Sequence, residues 1–338
     1  MRLFTILALL AGLALATALI AASGALSVGE AVASAGWGVA LVAAVRAVQI
    51  FGAGVAWWAL FRPASRPRLD ACALVRWIRE SVNNLLPVAQ VGGDVLGARL
   101  LGFFGVDRPL AAASVVADML VQVATQFVFA VIGLLVLIGL GGGDGLARGV
   151  GLGLLVAAPA ITGFYLVQRR GTHRRARRAL IRLIGRRQWM GLGAIEALYD
   201  RLESIHTNVG GVALGIAVHL AVWIFGTLEI WIALDFMGWP VGLGEALAIE
   251  SLTQAVKGAG FMVPGALGIQ EGGFVALCAV FGIPAPAALA LSLVKRVADA
   301  VVGVPGLLAW QAFEGHRFLR RRAGANRGRP ARQEDVIR

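Results

Sequence analysis

Six apolar runs, each near the roughly 20 residues an α-helix needs to cross a hydrocarbon core, constrain this chain more than any other feature. They fall at about 3–22, 36–60, 110–140, 146–168, 209–237 and 286–312. With 58% hydrophobic and 15% charged residues over 338 positions, they exclude an ordinary soluble core. Inside lipid only helices and closed barrels satisfy every backbone polar group, and runs of this length specify an all-α polytopic membrane protein.

Two further stretches, 81–106 and about 245–282, are apolar but broken by proline, glycine pairs and ionisable groups. The first reads SVNNLLPVAQVGGDVLGARLLGFFGV. Asn83, Asn84, Pro87, Gln90, Gly92, Gly93, Asp94 and Arg99 would be costly on a helix facing lipid, so this stretch is expected to face protein or a watery cavity.

Charge sets the orientation. Arg62, Arg66, Arg68, Arg76 and Arg79 follow one span, RRGTHRRARRALIRLIGRR (169–187) follows another, and the tail from Arg317 is again arginine-rich. The positive-inside rule puts all three in the cytoplasm, with both termini. The net charge of +12 is then a topology signal, and nucleic acid is not an expected partner. Counting crossings leaves 81–106 and 245–282 as two re-entrant helical hairpins that enter from opposite faces, beside about six full spans. Trp57, Trp58, Trp310, Trp37 and Trp239 lie near expected span ends and fit interfacial belts. The first 22 residues fit either a cleaved signal peptide or a retained helix, and their near-spanning length favours retention. The chain then reads as one membrane domain, 1–316, with a basic tail at 317–338. Residues 169–208 form a cytoplasmic basic loop followed by an amphipathic helix.

Laying Pro87 over Pro264, an offset of 177 by subtraction, aligns the two odd stretches without a gap. Asp94 falls on Glu271, Phe104-Gly105-Val106 on Phe281-Gly282-Ile283, and Pro109 on Pro286. The spacing predicts an inverted repeat of about 36–140 and 213–312, because three full crossings separate the copies. Within the spans, Asp118, Gln122 and Thr125 share a helical face, as do Glu250, Gln254 and Lys257; Arg46 and Gln49 are three apart. Lys295 and Arg296 stand at i,i+4 and i,i+3 to Asp299, a spacing that allows local ion pairs. His219 and Glu229 share one span and could relay protons, although a lone histidine is more often a hydrogen-bonded packing residue.

Asn83, Asn84, Pro87, Gly92, Gly93, Asp94, Arg99, Asp118, Gln122, Pro264, Gly265, Gly268, Glu271, Lys295, Arg296 and Asp299 form the expected substrate pathway, since intramembrane polar groups tend to mark pathways. Arg99 is the first choice for holding an anionic lipid phosphate, its fork of donors matching that shape. Nothing in the chain matches a nucleotide loop, a nucleophile elbow or a zinc motif, and Cys72 and Cys278 are far apart. No catalytic residue, cofactor or metal is expected.

Asn83-Asn84-x-x-Pro87 with Gly92-Gly93-Asp94 and Arg99, then Pro264-Gly265-x-x-Gly268-x-x-Glu271, resemble the flippase-like membrane domain of lysylphosphatidylglycerol synthases. Within that group SVNNLLPVAQVGGDVLGARLL looks most like the HpnL-type membrane proteins associated with hopanoids. The resemblance implies a bacterial inner-membrane protein that moves or handles lipids, with hopanoid or anionic phospholipid as ligand and lipid-biosynthesis enzymes as further partners. The synthases carry a soluble aminoacyl-transfer domain after the membrane part, whereas here an arginine-rich tail follows, so aminoacyl transfer is not expected. A membrane-embedded lipid-modifying enzyme, using Asp94 or Glu271 as acid or base, and a non-catalytic scaffold for hopanoid enzymes are the alternatives.

Overall fold

Helices occupy the apolar runs and also the two irregular stretches. The computed structural model describes residues 17–18, 20–21, 24–86, 91–141, 144–168, 192–260 and 263–327. The first apolar run, Pro87 and Gln90, the basic stretch 169–187 and the end of the tail therefore lie largely or wholly outside the described residues. No strand occurs among the described residues. The helices are α1 (Ala25–Ser34), α2 (Gly38–Leu60), α3 (Leu69–Leu85), α4 (Gly92–Leu101), α5 (Arg108–Gly139), α6 (Asp144–Gln168), α7 (Leu192–His206), α8 (Val209–Phe225), α9 (Thr227–Phe236), α10 (Leu243–Ala259), α11 (Ile269–Val280) and α12 (Ala285–Arg327).

Among the described residues, four stretches are long and apolar enough to cross a membrane: Gly38–Leu60, Arg108–Gly139, Ala147–Gln168 and Val209–Phe236. The last of these joins α8 and α9 through Gly226, whose backbone angles are themselves helical. The expected span at 286–312 is helical as the first part of α12, but it carries Lys295, Arg296 and Asp299 and is not among the four. Phe51, Leu135, Leu155, Val156 and Leu308 are exposed on these helices, an apolar surface that only lipid or other apolar groups can cover. The protein is an all-α polytopic membrane protein.

Each irregular stretch forms a helical hairpin, α3 against α4 and α10 against α11. The first hairpin starts at Leu69, twelve residues by subtraction before the expected Ser81. Cys72, Val75, Ile78 and Val82 recur every three or four residues and are buried, which gives α3 a core-facing stripe. Arg76 and Arg79, expected in a cytoplasmic loop, are instead buried on that helix. Trp57 is also fully buried and lies under the Arg79 guanidinium, 4.5 Å from ring to charge, so it is no part of an interfacial belt. The amphipathic helix expected at 190–208 is α7, yet Leu202 and Ile205 are buried by protein, with α7 packed on α5, where the expectation was a face laid on the membrane surface.

The offset of 177 recurs in the backbone. Gly92 and Ile269 start the second arms of the two hairpins, and Arg108 and Ala285 start the long helices that follow. Between them, Gly105 and Gly282 both take the left-handed conformation, with φ of 86° and 73°. The turns match as well: Val106 N–H donates to Leu101 O at 3.3 Å, and Ile283 N–H donates to Cys278 O at 3.0 Å. Packing follows suit, for α3 rests on α12 as α10 rests on α5, and α2 meets α8 between the halves. Two hydrophobic cores result, one around each hairpin.

Candidate functional site

Around the first hairpin, Asp118 on α5 is fully buried and gathers three bases. Its Oδ2 accepts from Arg76 at 2.7 Å and from Arg79 at 3.0 Å, and its Oδ1 faces His219 Nε2 at 3.1 Å. Arg76 also pairs with Glu80 one turn along α3, at 2.7 Å. Arg79 pairs with Asp94 on α4, while Asn83 accepts from Gly93 N–H at 2.8 Å and donates to Asp94 at 3.3 Å. These bonds fasten the start of α4 against α3.

Around the second hairpin the signs are exchanged. A base, Lys295 on α12, sits between Glu229 of α9 and Glu250 of α10, at 2.7 Å from each. Gln254 donates to the other oxygen of Glu250 at 2.8 Å. Glu271 accepts from Gly268 N–H at 2.7 Å, capping α11, and from Arg296 Nε at 2.7 Å and Ser292 at 3.0 Å. Arg296 also donates to Gly265 O at 3.2 Å, where φ of 64° turns the chain between the hairpin arms. The local pairs expected from Lys295 and Arg296 to Asp299 do not form among these contacts. Each base has a stronger partner on another helix, and Asp299 pairs with Arg46 at 3.0 Å.

The halves exchange polar contacts. Arg46, on α2 of the first half, reaches Glu229 at 2.9 Å and Asp299 of the second. His219, on α8 of the second half, reaches Asp118 of the first. His219 and Glu229 thus belong to different clusters, and each is held by other groups than its span-mate. Burial makes such pairing necessary, since an unpaired charge in this environment would cost several kcal/mol, on the order of 3–5.

Beside these clusters lies a small half-open cleft, with about 60 Å³ accessible to water, between α2, α3, α5 and α8. Arg46, Gln49, Arg76, Asn84, Gln122 and His219 give its polar wall, and Ile50, Ala53, Val222 and Trp223 its apolar one.

The family model described as the lysylphosphatidylglycerol synthase TM region matches residues 7–306. The chain belongs to that family. Membership in the lysylphosphatidylglycerol synthase TM family makes it a multi-pass membrane protein related to lipid handling. Comparisons with curated proteins and with solved structures gave no match.

Of the pathway residues expected from the sequence of this family member, Asn84 and Gln122 line the cleft. Asn83, Gly93, Asp94 and Asp118 lie in the first cluster; Gly265, Gly268, Glu271, Lys295, Arg296 and Asp299 belong to the second. Gly92 starts α4, and Pro264 opens the turn before α11. Pro87 lies outside the described residues. Arg99 stands apart from the cleft lining: it is exposed, pairs with Glu314 at 3.1 Å and lies over Phe103. Arg76, Arg79 and Glu80 were missed as site residues because arginines following a span read as loop charge. The stripe of Cys72, Val75, Ile78 and Val82 was the signal that could have placed them on a buried helix.

Proposed function

We propose that this protein carries polar lipids between the leaflets of a bacterial inner membrane, with hopanoids as the first candidates from the HpnL-type resemblance. The observation that carries the reading is the cleft: polar side chains from both halves of the repeat face one half-open space inside a body clad in exposed apolar residues. A headgroup entering there keeps hydrogen-bonding partners while its chains stay in hydrocarbon, which removes the main cost of crossing. The two halves, opposed in the membrane, would rock about the polar contacts they exchange. Transport, not chemistry, is the reading, because the carboxylates and arginines beside the cleft are engaged in pairing and, among the described residues, none stands as an activated nucleophile.

Purified full-length protein in vesicles tests this. Labelled hopanoid polyols and polar glycerolipids should equilibrate between leaflets several-fold faster than in protein-free vesicles, and Gln122→Leu, on the cleft wall, should slow them. Unchanged leaflet exchange over a broad set of headgroups, with and without a proton gradient, would refute it.

A further inference from the structure

Charge balance around the cleft selects among headgroups. Its two guanidinium groups are already matched: Arg76 by Asp118 and Glu80, Arg46 by Glu229 and Asp299. In the surrounding clusters Glu80, Asp94, Asp118, Glu229, Glu250, Glu271 and Asp299 outnumber Arg46, Arg76, Arg79, Lys295 and Arg296, and still do with Lys257 added. An anion placed there meets no surplus of positive charge, so a phosphate would have to displace a carboxylate already in place.

Besides the Nε atoms of Arg46 and Arg76, which form no hydrogen bond, what the cleft leaves unused is carboxamide. Gln49 is 6% exposed, spends its Nε2 on Val222 O at 3.3 Å, and its buried Oε1 has no hydrogen-bond partner. The side chains of Asn84 and Gln122 form no hydrogen bond among the described residues. A carboxamide both donates and accepts, and a hydroxyl does the same, so each amide oxygen or nitrogen finds its complement in a neutral polyol or sugar. The buried oxygen of Gln49, left without such a partner, carries a desolvation cost that a hydroxyl-rich headgroup relieves, while Asn84 and Gln122 are half-exposed to the cleft.

We infer that the cleft between α2, α3, α5 and α8 is a binding site for an uncharged, hydroxyl-rich lipid headgroup, recognised by Gln49, Asn84 and Gln122. This rests on the reading of the protein as a lipid carrier, and it adds the substrate class. Trp223, whose Nε1 donates to Thr125 at 3.2 Å and whose ring stacks on Phe129, adds a fixed aromatic group on the apolar wall against which a sugar ring can pack.

Native mass spectrometry of the full chain in an amine-oxide detergent, which carries neither sugar nor phosphate, tests the inference without any transport step. The protein is offered glucosyl diacylglycerol and phosphatidic acid of matched chains in equal amounts, with methyl glucoside as a chain-free competitor. Glucosyl diacylglycerol should be retained about tenfold over phosphatidic acid, a factor of the size expected for a matched hydrogen-bonding site. Methyl glucoside should not displace it at equal concentration, and Gln49→Leu and Gln122→Leu should each remove most of the preference. Equal or greater retention of phosphatidic acid overturns the inference, as does displacement by methyl glucoside or a preference that survives both substitutions. The competition on the unaltered protein decides the matter if either variant fails to fold. Selective retention without leaflet exchange would refute the carrier and leave the headgroup assignment standing; exchange with retention of phosphatidic acid would do the reverse.

Discussion

Asp118 shows how little a single residue's spacing says about its partners. Its place on a helical face with Gln122 was legible in the sequence, and an acid inside a span implies a base nearby. Which base was not legible, because Arg76 and Arg79 approach from a helix some forty positions away and the sequence offers no distance between them. Both sequence-local pairs, from Lys295 and Arg296 to Asp299, gave way to longer-range ones for the same reason: partners on facing helices are held rigidly, whereas i,i+4 pairs are worth only about 0.2–0.5 kcal/mol. Replacing Asp118 by Asn should destabilise the protein by about 3 kcal/mol, the low end for breaking a buried pair, since Glu80 and Asp94 still hold the two arginines. Thermal unfolding in detergent reads this as a clear fall in Tm. Asp70→Asn, at an exposed pair with Arg68, should leave Tm unchanged. Equal shifts at both positions would mean that burial is not what gives Asp118 its weight.

At the scale of elements, the two hairpins were legible because proline and glycine pairs interrupt apolar sequence in one register. The second was placed nearly to its ends. The start of the first was not, since the positive-inside rule and helical periodicity compete over 69–80 and the arginines there satisfy both. What holds that hairpin shut is close approach of its arms. A methyl group on Gly93 would overlap the backbone carbonyl of Arg79 and the side chain of Asn83, neither of which can yield without parting the helices. Gly272, at the matching end of α11, has open space around the same position. Gly93→Ala should therefore cost about 1–3 kcal/mol through overpacking, and Gly272→Ala should be neutral or slightly stabilising, as alanine is the better helix former. Unfolding midpoints of the two variants, with spin labels across α3 and α4, would check both the energy and the predicted opening. A tolerated Gly93→Ala would show that the hairpin arms are not pressed together.

The whole molecule is organised by exchange between its halves, and this was the least legible level. One gap-free alignment predicts the repeat, but that alignment places like over like, acid on acid and proline on proline. The structure uses unlike pairs: an acid with two arginines on one side answers a lysine with two glutamates on the other, and Arg46 and His219 each cross over. Sequence comparison within one chain cannot find complementary charge on non-equivalent positions. The crossing pairs imply that the halves recognise each other without the connection between them. If a protease site is inserted between Gln168 and Leu192 and cleaved in detergent, the two fragments should still copurify. Arg46→Gln removes the ion pair of Asp299 and one of two from Glu229, so in the cleaved protein it should weaken copurification well beyond the effect of Arg68→Gln, whose exposed pair stays within one half. Fragments that separate on cleavage even with Arg46 intact would show that the connection, and not the exchanged charges, keeps the halves together.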